Sequence, residues 1–174
     1  MNLSFQITCV NTRDFFDYWA GKFQDANEEK YVRNIGKPLT ERSRLELFEW
    51  KNGSVISKAK LASIGANYPL TFQGEPRARY LSPDQPGGAI WNIFYLHCMN
   101  QESWPIFDQH TYRAMQFMLT GNIVEVGATN KQKYIAYLDE YMPFVSRFSG
   151  VGGRQIDKAL FSFGQFLKLA KAYT

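Results

Sequence analysis

The sequence predicts a mainly α fold in a single domain, on three observations. Capping residues recur ahead of apolar stretches with helical spacing, chain breakers gather in one segment, and strand-like alternation is confined to the first ten residues. With 174 residues and 45% apolar content, the chain can bury one core without disulfide or metal staples. Aromatic residues run from Phe5 to Tyr173 with no low-complexity stretch and no repeat, so order is expected along most of the chain.

Residues 1–10 alternate in a strand-like way through Leu3, Phe5 and Ile7. Asn11-Thr12 with Asp14 starts a first helix, which reaches about Lys22 and draws its apolar surface from Phe15, Phe16, Tyr18, Trp19 and Phe23. Thr40 caps a second, in which Leu45 and Phe48, and Leu47 and Trp50, share faces, and Asn52-Gly53 ends it. A short helix spans Ser57 to Ile64. Residues 66–88 then hold Pro69, Pro76, Pro83 and Pro86, which predicts a long irregular connection, and loops of that length commonly contact ligand. Arg77 and Arg79 make it basic.

From Ala89 to Met99 the sequence is apolar almost all round, the pattern of a helix packed on several sides. Further helices are expected from about Gln109 to Leu119, ending at Gly121, from Thr129 to Tyr141, broken at Pro143, and from Gly152-Gly153 through Lys168. The total is six or seven helices.

Composition excludes several classes of chemistry. Cys9 and Cys98 form no CxxC pair and there are two histidines, so neither an iron–sulfur cluster nor a Cys/His zinc site can be assembled; no metal and no cofactor are expected. No segment reads as a signal peptide or approaches the roughly 20 apolar residues of a membrane span, so a soluble cytoplasmic protein without a membrane partner is expected. A net charge of +4 suits a phosphate-rich partner without demanding one.

The most informative run is Trp104-Pro-Ile-Phe-Asp-Gln-His110, with Arg113 beyond it, preceded by Pro86-Gly87-Gly88 and the apolar helix 89–99. Asp108 stands where a helix N-cap is expected, and capping alone would account for it. Over residues 86–118 this arrangement resembles the helix-hairpin-helix (HhH-GPD) superfamily of DNA glycosylases, with a degenerate hairpin. Pro-Ile-Phe-Asp is similar to the adenine-mismatch members, and Asp-x-His to the 8-oxoguanine members.

The resemblance implies a compact glycosylase-like helical domain over residues 1–174, with Asp108 as the catalytic carboxylate. It implies that Gly87 and Gly88 approach phosphate with their backbone. The position of the lysine used by bifunctional members falls on Ile90 or Trp91, which implies a monofunctional enzyme without lyase activity; the iron–sulfur ligands of some members are also absent.

The substrate implied is DNA, either duplex with an extruded base or single-stranded, from which a damaged, mismatched or modified base is removed in repair or anti-phage defence. His110, Arg113, Arg77 and Arg79 are the further candidates for DNA contact, and Tyr68, Phe72, Tyr80 and Trp104 for the base pocket. Trp91, His97 and Cys98 read as core, and Arg154 as a local partner of Asp157, with Lys158 one residue on. Two alternatives stand beside this reading. One is a non-catalytic DNA-binding or protein-interaction module on the same fold; the other is an RNase-like use of His97 and His110 as acid and base.

Overall fold

Short polar side chains decide where the helices begin. In the computed structural model, which describes residues 9–172, the Asn11 side chain accepts from the Asp14 amide at 3.0 Å and opens α1 (Thr12–Ala20). α2 (Glu28–Asn34) follows. Thr40 and Ser43 form a reciprocal capping box at α3 (Glu41–Asn52), which Gly53 ends in the left-handed conformation that residues with a Cβ resist. Ser57 caps α4 (Lys58–Asn67). The remaining helices are α5 (Pro76–Tyr80), α6 (Ala89–Met99), α7 (Gln109–Thr120), α8 (Asn130–Ile135), α9 (Met142–Ser146) and α10 (Gly153–Lys171), with a π-helical turn over Ala136–Tyr141.

The described residues are mainly helical and contain no strand. None of their helices is long and apolar enough to cross a membrane. The alternation through Leu3, Phe5 and Ile7 lies outside the described residues.

The expected helices at α3, α4, α6, α7 and α10 are present; α2 and α5 are additional. The stretch 66–88 is therefore not wholly irregular. Pro76 sits at the start of α5, where its missing amide hydrogen costs nothing. Pro143 likewise does not end the helical path, because it falls in the first turn of α9, directly after the π turn.

The packing gathers into two compact units. One comprises Gln24–Ile106 and Thr129–Tyr134. Its core is aromatic: Trp50 lies 4.5 Å from Tyr31 and 5.7 Å from Phe94 between ring centroids, and Tyr95 lies 4.7 Å from Tyr80 and 5.3 Å from Tyr68. The all-round apolarity of α6 is explained by this setting, since every residue from Asn92 to Cys98 is buried.

The other unit holds the described residues up to Phe23, then Phe107–Ala128 and those from Ile135 onward. Here α10 packs against both α1 and α7. Phe163 on α10 meets Phe15 and Trp19 of α1 at 5.2 and 4.9 Å, and Phe117 of α7 at 5.7 Å. One turn position along α10, Gly164 lets the two helix backbones touch: a Cβ there would collide with the His110 carbonyl.

Because that obstacle is backbone rather than a flexible side chain, Gly164→Ala forces α7 and α10 apart. The expected cost is about 1–3 kcal/mol, the range for overpacking a filled core, measured by urea or thermal unfolding. An unchanged midpoint would show that the close approach is not required.

Candidate functional site around Asp108

Asp108 is the N-cap of α7, in extended backbone conformation. Its Oδ1 accepts from the amides of His110 at 2.8 Å and Thr111 at 3.1 Å. The Thr111 hydroxyl completes a capping box by accepting from the Asp108 amide at 3.0 Å. Both amide bonds end on one oxygen, so the cap fixes the carboxylate's direction. Asp108 is half-buried, and the positive end of α7 favours its ionised form.

Behind the cap lies a buried cation. Arg113 is 2% exposed. Its Nε and Nη2 donate to the two oxygens of Glu125 at 2.9 and 2.7 Å, and Nη1 donates to the Gly164 carbonyl at 2.8 Å and to His110 Nδ1 at 3.1 Å. The guanidinium holds Glu125 below the usual carboxylate range. Gln109 also donates to Glu125. Arg113 is thus an internal brace, which corrects its expected contact with DNA phosphate: a side chain this enclosed has no face left for one.

The same network assigns His110. Burial lowers its pKa, and the nearby Asp108 carboxylate offsets part of that effect. An Nδ1 that accepts from Arg113 belongs to a neutral ring, so His110 offers DNA no positive charge in this geometry. Its ring packs edge-on against Phe161 at 4.9 Å.

In the other unit, the expected glycine turn is present and heavily braced. Gly87 adopts φ +100°, and a Cβ there would meet the Asn92 amide and the Tyr68 hydroxyl. Asn92 accepts from Tyr68 OH at 2.8 Å and donates to Tyr134 OH at 2.8 Å. Asn130 accepts from the Ala89 amide at 3.0 Å and donates to the Gly87 carbonyl at 3.3 Å, so a side chain from α8 caps α6 where Gly88 has none to offer. Arg79 donates to the Pro86 carbonyl at 3.2 Å. Arg77 is exposed.

The aromatic candidates separate by burial. Tyr68 and Tyr80 are 3% and 1% exposed and belong to the core, not to a base pocket; the Tyr68 hydroxyl is consumed by the turn, and that of Tyr80 donates to the Asn67 carbonyl at 3.1 Å. Trp104 is half-buried, and its carbonyl accepts from His97 Nδ1 at 2.7 Å. Phe72 does line a cleft, of about 490 Å3, with Leu39, Leu70, Met99, Lys37 and Gln101. That volume is in the range of small-ligand sites.

His97 accepts a hydrogen bond from the Tyr31 hydroxyl on Nε2 at 2.8 Å and donates from Nδ1 to the Trp104 carbonyl. With both ring nitrogens engaged inside the core, it does not supply the acid or base of an RNase-like pair. Burial pushes the Cys98 thiol well up, so it is inert. Arg154 pairs with Asp157 as expected. Among the described residues, no group of three or more His, Cys, Asp or Glu is placed to hold a metal ion.

Sequence reasoning missed Asn92, Asn130 and Tyr134 at the turn and Glu125 beside Arg113. No local pattern marks them, since each acts across 12 to 43 residues. Comparison with family models, with curated proteins and with solved structures returns no match for this chain.

The lowered pKa of His110 has a consequence for stability. Its folded value lies below that of the unfolded chain, near 6.5, so protonation favours unfolding. The stabilising contribution is complete above about pH 6.5 and is lost as pH falls from there through the lower folded value. His110→Gln should flatten the decline in unfolding free energy between pH 7 and pH 5, as measured by urea denaturation; an identical decline in both proteins would contradict the assignment.

Proposed function

We propose that this chain is a monofunctional DNA N-glycosylase of the cytoplasm, hydrolysing the bond between deoxyribose and a damaged, mismatched or modified base. The observation that carries the reading is the Asp108 carboxylate, half-buried and held in one direction by two amide bonds to a single oxygen. As an N-glycosidic bond breaks, positive charge grows on the sugar. The C–N electron pair leaves with the base, which takes a proton from solvent, and a fixed carboxylate beside C1′ stabilises the charge on the sugar and orients the attacking water, taking its proton as the new C–O bond forms and then returning it to solvent.

The chemistry proceeds without an imine. Ile90 and Trp91 stand at the position of the lysine used by bifunctional glycosylases, and Trp91 is stacked on Phe48 at 5.4 Å. Lys60 does place its ammonium 3.9 Å over the Trp91 ring, but it donates to Asn52 Oδ1 at 2.6 Å.

DNA is the partner in this reading, either duplex with the target base flipped out or single-stranded. Gly87 and Gly88 give a backbone that phosphate can approach closely, and the exposed Arg77 and Lys131 of the same unit supply positive charge. Repair of damage and defence against phage DNA carrying modified bases are the roles that fit such an activity.

One observation favours a second reading, a DNA-binding module without catalysis: the capping box by itself accounts for the placement of Asp108. Asp108→Asn separates the two, since an amide oxygen still caps a helix. Base release should fall at least about 100-fold, the scale of losing one preorganised electrostatic group, while thermal stability and salt-dependent DNA binding are retained. Full base release by the variant would refute a role for the carboxylate in chemistry.

A further inference from the structure

A guanidinium can only donate, so the 3.1 Å contact between Arg113 Nη1 and His110 Nδ1 makes that imidazole nitrogen an acceptor and leaves the ring proton on Nε2. The same Nη1 donates to the Gly164 carbonyl at 2.8 Å. One nitrogen with two hydrogens thus joins the first turn of α7 to the middle of α10. The packing at this joint leaves no slack. The His110 carbonyl excludes a Cβ at Gly164, and the His110 ring meets Phe161, also on α10, at 4.9 Å. Phe161 is backed in turn by Phe23 at 5.7 Å. On its other side His110 holds the cap, because its amide is one of the two that bind Asp108.

A proton added to Nδ1 removes the acceptor. Two N–H groups then face each other, and two cations share a space that admits little water, since Arg113 is 2% exposed. The surroundings do not supply a remedy. Burial opposes the charged ring most; the Asp108 carboxylate favours it, Arg113 opposes it, the Gly164 carbonyl favours it and Lys168, on α10, opposes it. Glu125 already gives both oxygens to Arg113 and also accepts from Gln109, with Lys171 acting on it as a further cation. The strain is relieved when the ring leaves Arg113. With the His110 backbone pressed against Gly164, that movement has to be taken up by the first turn of α7 itself. A histidine makes this change within the physiological range of pH, which an arginine or an aspartate in its place would not.

We propose that His110 is a proton-operated latch between α7 and α10. Neutral, it accepts from Arg113 and keeps the first turn of α7 closed on α10; protonated, it expels the guanidinium and that turn opens, the Asp108 cap included. The opening is local, confined to the α7 side of the joint, and reverses when the proton is lost. In the glycosylase reading, on which this one consequence rests, Asp108 loses its fixed direction as His110 charges and base release falls with it.

Amide hydrogen exchange of the wild-type chain, followed by NMR, tests the latch. After correction for the intrinsic pH dependence of exchange, the His110 and Thr111 amides should lose about tenfold in protection between pH 7.5 and pH 5. The midpoint should coincide with the titration of the His110 ring signals in the same samples. Low concentrations of urea should leave the faster exchange at pH 5 unchanged, because a local opening exposes little new surface. His110→Gln, whose amide takes up no proton in this range, should show constant protection at Thr111.

Constant protection in the wild-type chain would overturn the proposal. So would a loss whose midpoint departs from the His110 titration, an exchange rate that climbs with urea as global unfolding does, or an equal loss in His110→Gln. Three of these four readings come from the wild-type chain, so a variant that fails to fold leaves the test intact. Exchange is measured without substrate, and a chain that releases no base while the latch titrates as described refutes the glycosylase reading alone.

Discussion

A single buried cation organises the surroundings of Asp108. The Arg113 guanidinium is removed from water, and a charge in that position is tolerable only when its hydrogen-bonding capacity is met. It is met from three directions: Glu125 in the connection after α7, the Gly164 carbonyl on α10, and the imidazole of His110 on its own helix. Each bond constrains a different element. The bond to Gly164 requires α10 to approach the start of α7 at backbone distance, which in turn requires a residue without a Cβ. The bond to His110 keeps that ring neutral and turned inward. The first turn of α7 is held by these bonds, and Asp108 takes its direction from the two amides of that turn that bind it.

This arrangement explains why local sequence signals were informative at some positions and misleading at others. Helix boundaries depend on short-range chemistry, so Thr40, Ser57, Gly53, Asp108 and Gly121 could be read directly. The same holds for α6, whose apolarity on all sides has one physical meaning. α2 is missed because seven residues carry little periodicity, and α5 because Pro76, read as a breaker, is a helix starter. Pro143 misleads for a related reason, since the π turn before it delivers the chain to a new first turn in which proline fits.

Candidate site residues divide along the same line. Asp108 and the glycine turn are defined by neighbours within a few residues and lie where they were expected. Arg113, Tyr68 and Tyr80 were assigned by residue type to DNA or base contact, but their environment is tertiary: one is enclosed by Glu125 and Gly164, the others by the aromatic core. Asn92 and Asn130 show the reverse case, polar residues of ordinary appearance that hold the turn together over long sequence separations. Asp157 read as half of a local ion pair, and its burial is something that spacing along α10 does not reveal.

The central proposal is that a carboxylate braced in this way performs hydrolysis rather than merely starting a helix. The most direct measurement is mass spectrometry of free bases released when the purified chain is incubated with a panel of DNAs carrying different base modifications. The account predicts that at least one modified base appears in molar excess over enzyme, leaving an abasic strand and no covalent protein–DNA adduct. Salt-sensitive binding to every DNA in the panel, with no free base from any of them, would contradict it and leave Asp108 as a cap.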